Sequence, residues 1–394
     1  MTLAKENQKV RVGIIGIGNM GTGHIGNWLK GLMPEVDVTA VADRDAKRRE
    51  WAAALAAEHK IDWEIFTEGS DLIASDCCDA ILIAVPHYQH PELAVAGFAN
   101  NKHVMVEKPA GVYTQQVREM NEAARNYDLV FAMMFNQRTN PLYIRMRELI
   151  TSGELGEIRR VNWIITDWYR SQAYYDSGSW RATWAGEGGG VLINQCPHQL
   201  DLLQWICGLP VRVSAHAHEG KWHDIEVEDD VTAYLEFANG ATGVFVTTTG
   251  DIPGTNRFEV TLDGGRLIAE NDVLTLDRLE VGISQWTRET TQGFGRPGVT
   301  REVIDTSGVN PQHVGIMNSF TAAILRGEKL LAAGEEGING LMLSNAIHLS
   351  SWLGRPVDLP VDEALFLEEL NKRRATSRLK EDVESVTFDT SGTY

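Results

Sequence analysis

The sequence predicts an α/β domain followed by an α+β domain. In the first third of the chain, short β-branched runs alternate with longer helical patterns, which is typical of βαβ units and a parallel sheet. After about residue 150 the apolar residues recur with period two, and Asn239-Gly240 and Asp263-Gly264 stand at hairpin-turn positions. We therefore expect an open, mainly antiparallel β-sheet in the second domain. The length of 394 residues also suits two domains.

The first domain is expected to cover residues 1–138. Apolar runs predict strands at 10–16, 38–42, 80–85, 103–106 and 129–132. Apolar residues at helical spacing predict helices at 20–30, 45–59, 91–99 and 114–126. Because strands and helices alternate, the sheet should be parallel and doubly wound.

The second domain is expected to cover residues 139–394. Its predicted strands lie at 158–168, 231–237, 242–249, 257–262 and 267–270, and a helix is predicted at 191–207. Helices at 313–325 and 336–353 can either pack on this sheet or return to the first domain. After Phe366 the chain is mostly charged and polar, which predicts a surface helix followed by a loose end.

Composition and charge exclude several classes of protein. The formal net charge of -18 repels phosphate backbones, so no nucleic-acid partner is expected. The first residues lack the apolar stretch of a secretory signal, and no run approaches the roughly 18 apolar residues of a membrane span. A cytoplasmic protein without a membrane partner is expected. The four cysteines fit neither a disulfide framework nor a zinc motif, so no metal site is predicted.

Three glycines, Gly16, Gly18 and Gly21, form a G-x-G-x-x-G motif between the first predicted strand and the first predicted helix. In that context they permit a tight turn, close approach to a diphosphate and close helix packing. Asp43 ends the second strand, where a carboxylate binds ribose hydroxyls and repels a 2′-phosphate, so NAD is expected. The adjacent Arg44 could hold such a phosphate, which leaves NADP use open. The alternative is the glycine turn of a flavodoxin-like fold, with Asp43 as a helix cap.

Two further motifs complete a family pattern. Glu107-Lys108-Pro109 follows the strand at 103–106, and Gly188-Gly189-Gly190 precedes a helical pattern that carries His198 and Asp201. With the glycine motif, this ordered set resembles the glucose-fructose oxidoreductase/inositol dehydrogenase (Gfo/Idh/MocA) family over residues 10–360. The resemblance implies a Rossmann domain, a second domain on an open antiparallel sheet, and a homodimer or homotetramer formed through that sheet. It also implies an NAD-dependent enzyme with a carbohydrate substrate.

The resemblance implies roles for residues at the matching positions. Lys108 would hydrogen-bond the reacting hydroxyl, where a cation lowers the cost of developing alkoxide charge. His198 would take the hydroxyl proton as hydride leaves for the nicotinamide, and return it in reduction. The implied cofactor-binding residues are Gly16, Gly18, Asn19, Met20, Gly21, Asp43, Arg44, Pro86, His87, Glu107 and Lys108.

One position departs from the family pattern. Many members carry D-x-x-x-H, whereas the residue four before His198 in this sequence is Asn194, so the upstream carboxylate is absent. An amide can orient a hydroxyl but cannot share a proton. On the predicted helix, Asn194, His198 and Asp201 would share one face. More of the proton transfer would then depend on His198, or on Tyr174 or Tyr175.

Aromatic residues and arginines are unusually dense after the first strand of the second domain. Indole faces suit the C–H faces of sugars, while guanidinium and phenol groups suit hydroxyls or an acidic substituent. Alternatively, these side chains pack a loop onto the sheet. The predicted substrate-binding residues, including one from the domain junction and one from the following helix, are Arg138, Trp168, Arg170, Trp180, Arg181, Trp184 and Asp201.

Three functions are compatible with these residues. The leading hypothesis is a dehydrogenase that oxidises a ring hydroxyl of a sugar, cyclitol or sugar acid. The second is a redox-neutral NAD-dependent glycoside hydrolase, in which transient oxidation at C3 acidifies the C2 proton and permits elimination, hydration and re-reduction. Its sugar could be neutral or anionic. The third is a non-catalytic dinucleotide-binding sensor, against which the presence of both Lys108 and His198 argues.

Overall fold

The computed structural model describes residues 8–380, and its first sheet is parallel throughout. The strands are β1 (Val10–Ile15), β2 (Val36–Ala42), β3 (Glu64–Phe66), β4 (Ala80–Ile83), β5 (His103–Val106) and β6 (Phe131–Met133). Their order across the sheet is β3-β2-β1-β4-β5-β6. This order confirms the predicted Rossmann domain, and it puts the crevice between β1 and β4 at the edge where such sheets bind ligands.

Five helices connect these strands. They are α1 (Asn19–Leu29), α2 (Ala46–His59), α3 (Gly69–Ala74), α4 (His90–Ala99) and α5 (Thr114–Ala124). The predicted elements of this domain agree with the structure to within two residues at each end. The prediction missed β3 and α3, which have three and six residues and are too short to show a periodic pattern.

The second sheet has nine strands within the described part of the chain. They are β7 (Ile158–Ile165), β8 (Arg212–Glu219), β9 (Glu228–Glu236), β10 (Thr242–Thr248), β11 (Asn256–Leu262), β12 (Gly265–Glu270), β13 (Val273–Leu279), β14 (Val299–Ile304) and β15 (Val357–Asp358). Their order is β14-β13-β12-β11-β7-β10-β9-β8-β15, and among these pairs only β7 and β10 run parallel. The expectation of a mainly antiparallel sheet is confirmed, although β8, β13, β14 and β15 were not predicted.

One face of this sheet belongs to the core and the other is open. Trp163 on β7 is fully buried and stacks on Phe258 of β11, with ring centres 4.1 Å apart. On the opposite face, Ile164 and Tyr234 are each 41 % exposed. The remaining helices are α6 (Pro141–Thr151), α7 (Gln172–Tyr175), α8 (Pro197–Cys207), α9 (Ile283–Glu289), α10 (Gln312–Arg326), α11 (Gly337–Leu353) and α12 (Glu363–Thr376).

The C-terminal helices tie the two domains together. Helix α10 returns to the first domain, where Arg326 forms an ion pair with Glu35 at 2.5 Å. Helix α11 contacts both domains: Asn345 accepts a hydrogen bond from the Thr114 backbone at 3.0 Å, and Ser350 accepts one from Ala215 on β8 at 3.0 Å. Both packing arrangements left open by the sequence are therefore used.

The helix predicted at 191–207 is wrong in its first part, because α8 begins only at Pro197. Residues 191–196 form turns held by the buried Glu228 carboxylate, which accepts hydrogen bonds from the backbones of Gly190 at 2.8 Å and Leu192 at 3.0 Å. Asn194 therefore lies before the helix and does not share a helical face with His198 and Asp201.

Three further sequence predictions concern the C-terminal region, the cysteines and membrane-spanning segments. The predicted surface helix after Phe366 corresponds to the later part of α12, whereas the loose end from residue 381 lies outside the described residues. All four cysteines are free thiols. Across residues 8–380, none of the helices is both long enough and apolar enough to cross a bilayer.

Candidate active site

A cleft of about 950 Å³ lies between the two domains. It extends from the glycine loop after β1 to the segment 168–181 and the start of α8. Most of the predicted site residues line it, namely Gly16, Gly18, Asn19, Met20, Asp43, Arg44, Pro86, His87, Glu107, Lys108, Trp168, Arg170, Tyr174, Trp180, Arg181, Asn194 and His198. Within residues 8–380, no group of three histidine, cysteine or acidic side chains is placed to hold a metal ion.

The glycine loop has the shape that a diphosphate requires. Gly16 has a φ of +94°, and a Cβ there would meet the Ala84 carbonyl oxygen at 2.3 Å. A Cβ at Gly21 would lie 2.0 Å from the Gly16 oxygen, so Gly21 serves close helix packing and does not itself line the cleft. Gly18 has open space on its side-chain face, and α1 begins there without a side-chain cap. The uncapped N–H groups can therefore bind phosphate oxygens.

Carboxylates lie at the end of the cleft beyond β2. The Asp43 carboxylate accepts hydrogen bonds from the backbones of Ile17 and Asp45 at 2.7 and 2.8 Å, which hold it beside the glycine loop. Arg44 donates to the Glu68 carboxylate at 2.8 Å. Because Arg44 is paired with an acid that also lines the cleft, this end suits ribose hydroxyls better than a 2′-phosphate.

Lys108 follows β5 and reaches across the cleft to the second domain. Its Nζ donates to the backbone oxygen of Asn194 at 3.1 Å. Burial lowers the pKa of Lys108 below its ordinary value, although the carboxylates of Glu107 and Glu187 oppose this effect. The side chain is thus a partly buried ammonium group that loses its proton more easily than a surface lysine.

Glu107 anchors the segment that carries this lysine. Its Oε1 lies 2.7 Å from Nε2 of His24, and its Oε2 accepts the Lys108 backbone N–H at 3.2 Å. Burial raises the pKa of Glu107, but the His24 hydrogen bond and the charges of His24, His313 and Lys108 outweigh burial and lower it to about 2. Glu107 is therefore a stable anion at neutral pH.

His198 is buried in the wall of the cleft near the start of α8. It is 3 % exposed, and neither ring nitrogen has a hydrogen-bond partner among the described residues. Burial lowers the pKa of His198 well below its ordinary value, and the charges of Lys108 and His313 lower it further. A neutral imidazole results, which can accept a proton from a ligand.

A carboxylate lies beside Asn194, although the sequence suggested that none would be available there. The Asn194 side-chain nitrogen donates to Oε1 of Glu187 in a very short contact, and Oε2 of Glu187 accepts the Ala182 N–H at 2.6 Å. Burial raises the pKa of Glu187. Because Asn194 donates to Glu187, its amide oxygen is the acceptor that it can offer to a ligand.

Rings and guanidinium groups from the second domain form the other wall. The Arg181 guanidinium lies 4.6 Å from the Trp180 ring centre and 4.8 Å from that of Tyr174. Arg170 lies 5.5 Å from the Trp168 ring centre and 5.3 Å from that of Tyr174. These contacts hold both cations against aromatic faces.

Two family models match the chain, one over nearly the whole of the first domain and one over the first half of the second. The model of the oxidoreductase family with an NAD-binding Rossmann fold matches residues 10–135, and the model of the GFO/IDH/MocA C-terminal domain matches residues 143–268. The chain belongs to the Gfo/Idh/MocA family. It is therefore an enzyme, an oxidoreductase with an NAD-binding Rossmann domain, and not the non-catalytic sensor considered from the sequence.

Other Gfo/Idh/MocA proteins resemble the chain over most of its length. Myo-inositol 2-dehydrogenase of Thermotoga maritima is 25 % identical over 359 residues, covering 89 % of this chain and 98 % of that enzyme. The WlbA dehydrogenase of Bordetella pertussis, solved with NADH and UDP-GlcNAcA, is 23 % identical with a TM-score of 0.75, covering 90 % of this chain and 99 % of that one. A levoglucosan dehydrogenase solved with NADH and L-sorbose is 21 % identical with a TM-score of 0.75. The match covers 90 % of this chain and 100 % of that one.

Besides Gly21, four predicted site residues lie outside the cleft, and these assignments are corrected. Tyr175 is buried, and its hydroxyl bonds Oγ1 of Thr249 at 2.7 Å. Trp184 is also buried, and packs against His348 and Trp352 with ring centres 5.7 and 5.5 Å away. The other two residues, Arg138 and Asp201, bind each other.

The Arg138–Asp201 pair is part of the core. Two hydrogen bonds of 2.8 and 2.7 Å join the guanidinium and the carboxylate, and both side chains are 1 % exposed. Arg138 also contacts Glu336, so its charge is compensated within the protein. Neither group is available to a substrate.

Breaking this pair should destabilise the fold. We expect Asp201→Asn to lower the free energy of unfolding by roughly 3–5 kcal/mol, because it removes the buried carboxylate that binds the Arg138 guanidinium through two hydrogen bonds and leaves only Glu336 to compensate its charge. Urea unfolding followed by circular dichroism measures the change. The matched control is Arg145→Met, which removes an exposed pair with Glu148 and should cost less than about 1 kcal/mol. Equal, small effects of the two substitutions would contradict a structural role for Asp201.

Several residues of the site were missed by the sequence analysis. Gln195 lines the cleft, and its Nε2 donates to the Tyr174 hydroxyl at 3.3 Å. Glu187 and His24 were also missed. Glu187 accepts a hydrogen bond from Asn194, and His24 hydrogen-bonds Glu107. The position of Glu187 directly before the glycine triplet was the only available signal, whereas His24 looks like an ordinary helix residue in the sequence.

Proposed function

We propose that the protein is an NAD-dependent dehydrogenase that transfers hydride to or from a ring secondary alcohol of a sugar or sugar derivative. The observation that supports this most directly is the presence of Lys108 and His198 in the same cleft as the glycine loop and Asp43, with both ring nitrogens of His198 free of hydrogen bonds to the described residues. Such an arrangement combines a dinucleotide site with a cation and a base.

In this proposal different side chains of the cleft stabilise, deprotonate and orient the hydroxyl groups of the substrate. Bound NAD supplies the hydride acceptor or donor at its nicotinamide ring. Lys108 donates a hydrogen bond to the reacting oxygen and stabilises its developing negative charge. His198, which is neutral, takes the hydroxyl proton during oxidation and returns it during reduction. The Asn194 amide oxygen accepts a hydrogen bond from a neighbouring hydroxyl.

A direct assay tests this proposal. The protein is mixed with NAD and a panel of hexoses, inositols, uronic acids and sugar phosphates, and NADH formation is followed by absorbance. Stoichiometric NADH with at least one member of the panel is expected. If no panel member is oxidised and no corresponding keto sugar is reduced by NADH, the proposal is wrong.

A redox-neutral glycoside hydrolase is the second candidate, and the position of Tyr174 favours it. The elimination step needs a further acid or base beside the sugar, and the Tyr174 hydroxyl is held in the cleft by Arg181 at 3.0 Å and Gln195 at 3.3 Å. Incubation with NAD and nitrophenyl glycosides separates the two functions. Nitrophenol release without net NADH indicates the hydrolase, and NADH without nitrophenol indicates the dehydrogenase.

The contact between Glu187 and Asn194 permits a test by exchanging the two groups. Asn194→Asp brings two buried carboxylates together, so we expect kcat/KM to fall by roughly 10- to 100-fold. The double variant Glu187→Gln/Asn194→Asp restores one amide and one carboxylate, and it should recover most of this loss. Steady-state kinetics on all three variants measures the coupling. Additive losses in the double variant would show that the contact does not matter to catalysis.

We also propose that the protein is a cytoplasmic homodimer or homotetramer that associates through its second sheet. The open face exposes Ile164 and Tyr234 next to a network of charged side chains that includes Arg257 and Glu270. A mixed apolar and charged face of this kind suits a self-complementary interface. Light scattering on purified protein gives the oligomeric state, and a monomer would contradict the proposal.

A further inference from the structure

Two arginines in the cleft have no acidic partner among the described residues. Arg170 and Arg181 are half-buried, and neither takes part in an ion pair with any residue between 8 and 380. Arg170 donates to the Tyr169 backbone oxygen at 2.8 Å, and Arg181 donates to the Tyr174 hydroxyl at 3.0 Å. Since a guanidinium group carries five N–H donors, most of their donor capacity is left for a ligand.

The surroundings of these arginines are cationic. Lys108 lies close enough for the charges of Arg181 and Arg170 to contribute to lowering its pKa, after the larger effect of burial. Three acids lie near these cations. Glu107 is engaged with His24, and Glu187 with Asn194 and the Ala182 backbone. The third, Asp167, interacts electrostatically with Arg170 but forms no ion pair with it among the described residues. This end of the cleft is thus locally positive in a protein whose formal net charge is -18.

We propose that Arg170 and Arg181 bind an oxyanion substituent of the substrate, so that the enzyme acts on an anionic sugar that carries a carboxylate, phosphate or sulfonate group. This rests on the dehydrogenase function proposed above and narrows its substrate class. Planar guanidinium groups match such oxyanions through paired, charge-assisted hydrogen bonds. Stacking on Trp168, Trp180 and Tyr174 reduces the side-chain freedom that binding would otherwise remove.

The diphosphate of the cofactor is a different anion with a different site. It is matched by the glycine loop and the N-terminus of α1, both of which belong to the first domain. Arg170 and Arg181 belong to the second domain, on the wall that also carries Asn194 and His198. They therefore face the reacting end of the cleft.

A binding experiment tests the arginine pair without turnover. Inorganic sulfate is titrated into NAD-loaded protein while tryptophan fluorescence is recorded, because Trp168 and Trp180 adjoin the two guanidinium groups. We expect saturable binding that weakens by roughly 10- to 100-fold in Arg170→Met and Arg181→Met. Arg147→Met is the matched control, since that guanidinium lies 4.5 Å from the Trp205 ring centre outside the cleft. Thermal unfolding checks that each variant is folded.

The outcomes are distinct. Unsaturable sulfate binding, or equal weakening in Arg147→Met, overturns the proposal. So does a parallel loss of NAD affinity in Arg170→Met and Arg181→Met, because the arginines would then hold the cofactor. If a variant fails to fold, Arg181→Lys replaces it, and we expect intermediate weakening from the loss of the planar fork.

A turnover experiment separates this proposal from the dehydrogenase function. The ratio of kcat/KM for glucuronate or glucose 6-phosphate to that for glucose is measured in the wild type and in Arg181→Met. We expect the ratio to favour the anionic sugar and to fall by roughly 10-fold or more in the variant. If the ratio does not change, the proposal that the two arginines bind an anionic substituent is wrong, while the proposed dehydrogenase function still stands. Sulfate binding as expected with no NADH from any sugar refutes the dehydrogenase instead.

Discussion

Replacement of Lys108 by methionine should lower kcat for sugar oxidation by roughly 100- to 1,000-fold. The substitution keeps the length and apolar body of the side chain but removes the ammonium group, so the developing alkoxide loses its charged hydrogen-bond donor. The glycine loop and Asp43 are untouched, and we therefore expect NAD affinity to change by less than about tenfold. Stopped-flow measurement of NADH formation and fluorescence titration of NADH give the two quantities.

The matched control for this substitution is Lys372→Met on α12. That ammonium group lies on the surface, with its side chain 57 % exposed, in ion pairs with Glu368 and Glu369. Its removal should leave kcat unchanged. If Lys108→Met retained more than about a tenth of wild-type kcat, charge stabilisation at this position could not be the main role of the lysine.

Replacement of His198 by glutamine should lower kcat/KM by roughly 100- to 1,000-fold and change the pH profile. An amide can still hydrogen-bond a hydroxyl but cannot take its proton. In the wild type, we expect activity to be lost at low pH as the imidazole becomes protonated. Because burial and Lys108 lower the pKa of His198, this acid limb should lie well below the ordinary value of 6.5. In His198→Gln the acid limb should disappear.

The alkaline limb of the same profile should belong to Lys108. Activity is lost as pH rises and the ammonium group gives up its proton, and the lowered pKa puts this loss below the ordinary value of 10.5. Lys108→Arg retains a cation that does not titrate in this range, so its alkaline limb should vanish although activity is reduced. Limbs that stay in place in both variants would assign the two ionisations to other groups.

The features predicted correctly from the sequence are those determined locally. The glycine motif, Asp43 and the alternation of strands and helices are each encoded within about thirty consecutive residues, which was enough to place the cofactor loop beside β1 and β2. The antiparallel strands near Asn239-Gly240 and Asp263-Gly264 were predicted because the turn residues lie next to them. In the second sheet, the four missed strands lack an Asn-Gly or Asp-Gly turn at one end at least or, like β15, have only two residues.

The features that were missed depend on partners far away in the chain. Arg138 and Asp201 looked like substrate ligands beside recognisable motifs, yet they are 63 residues apart and neutralise each other in the core. The first part of the helix predicted at 191–207 is replaced by turns because Glu228, from another strand, binds the backbone there. Glu187 is an exception, because it lies only seven residues from Asn194. It was missed because the turns that bring the two side chains together replace the predicted helix.

The most direct test of the proposed chemistry is a crystal structure of the protein with NAD and the sugar that it oxidises. We expect one carbinol carbon over the nicotinamide ring, with its oxygen within hydrogen-bond distance of Lys108 Nζ and of a ring nitrogen of His198. A sugar bound with its reacting carbon near the nicotinamide but out of reach of both side chains would contradict the account.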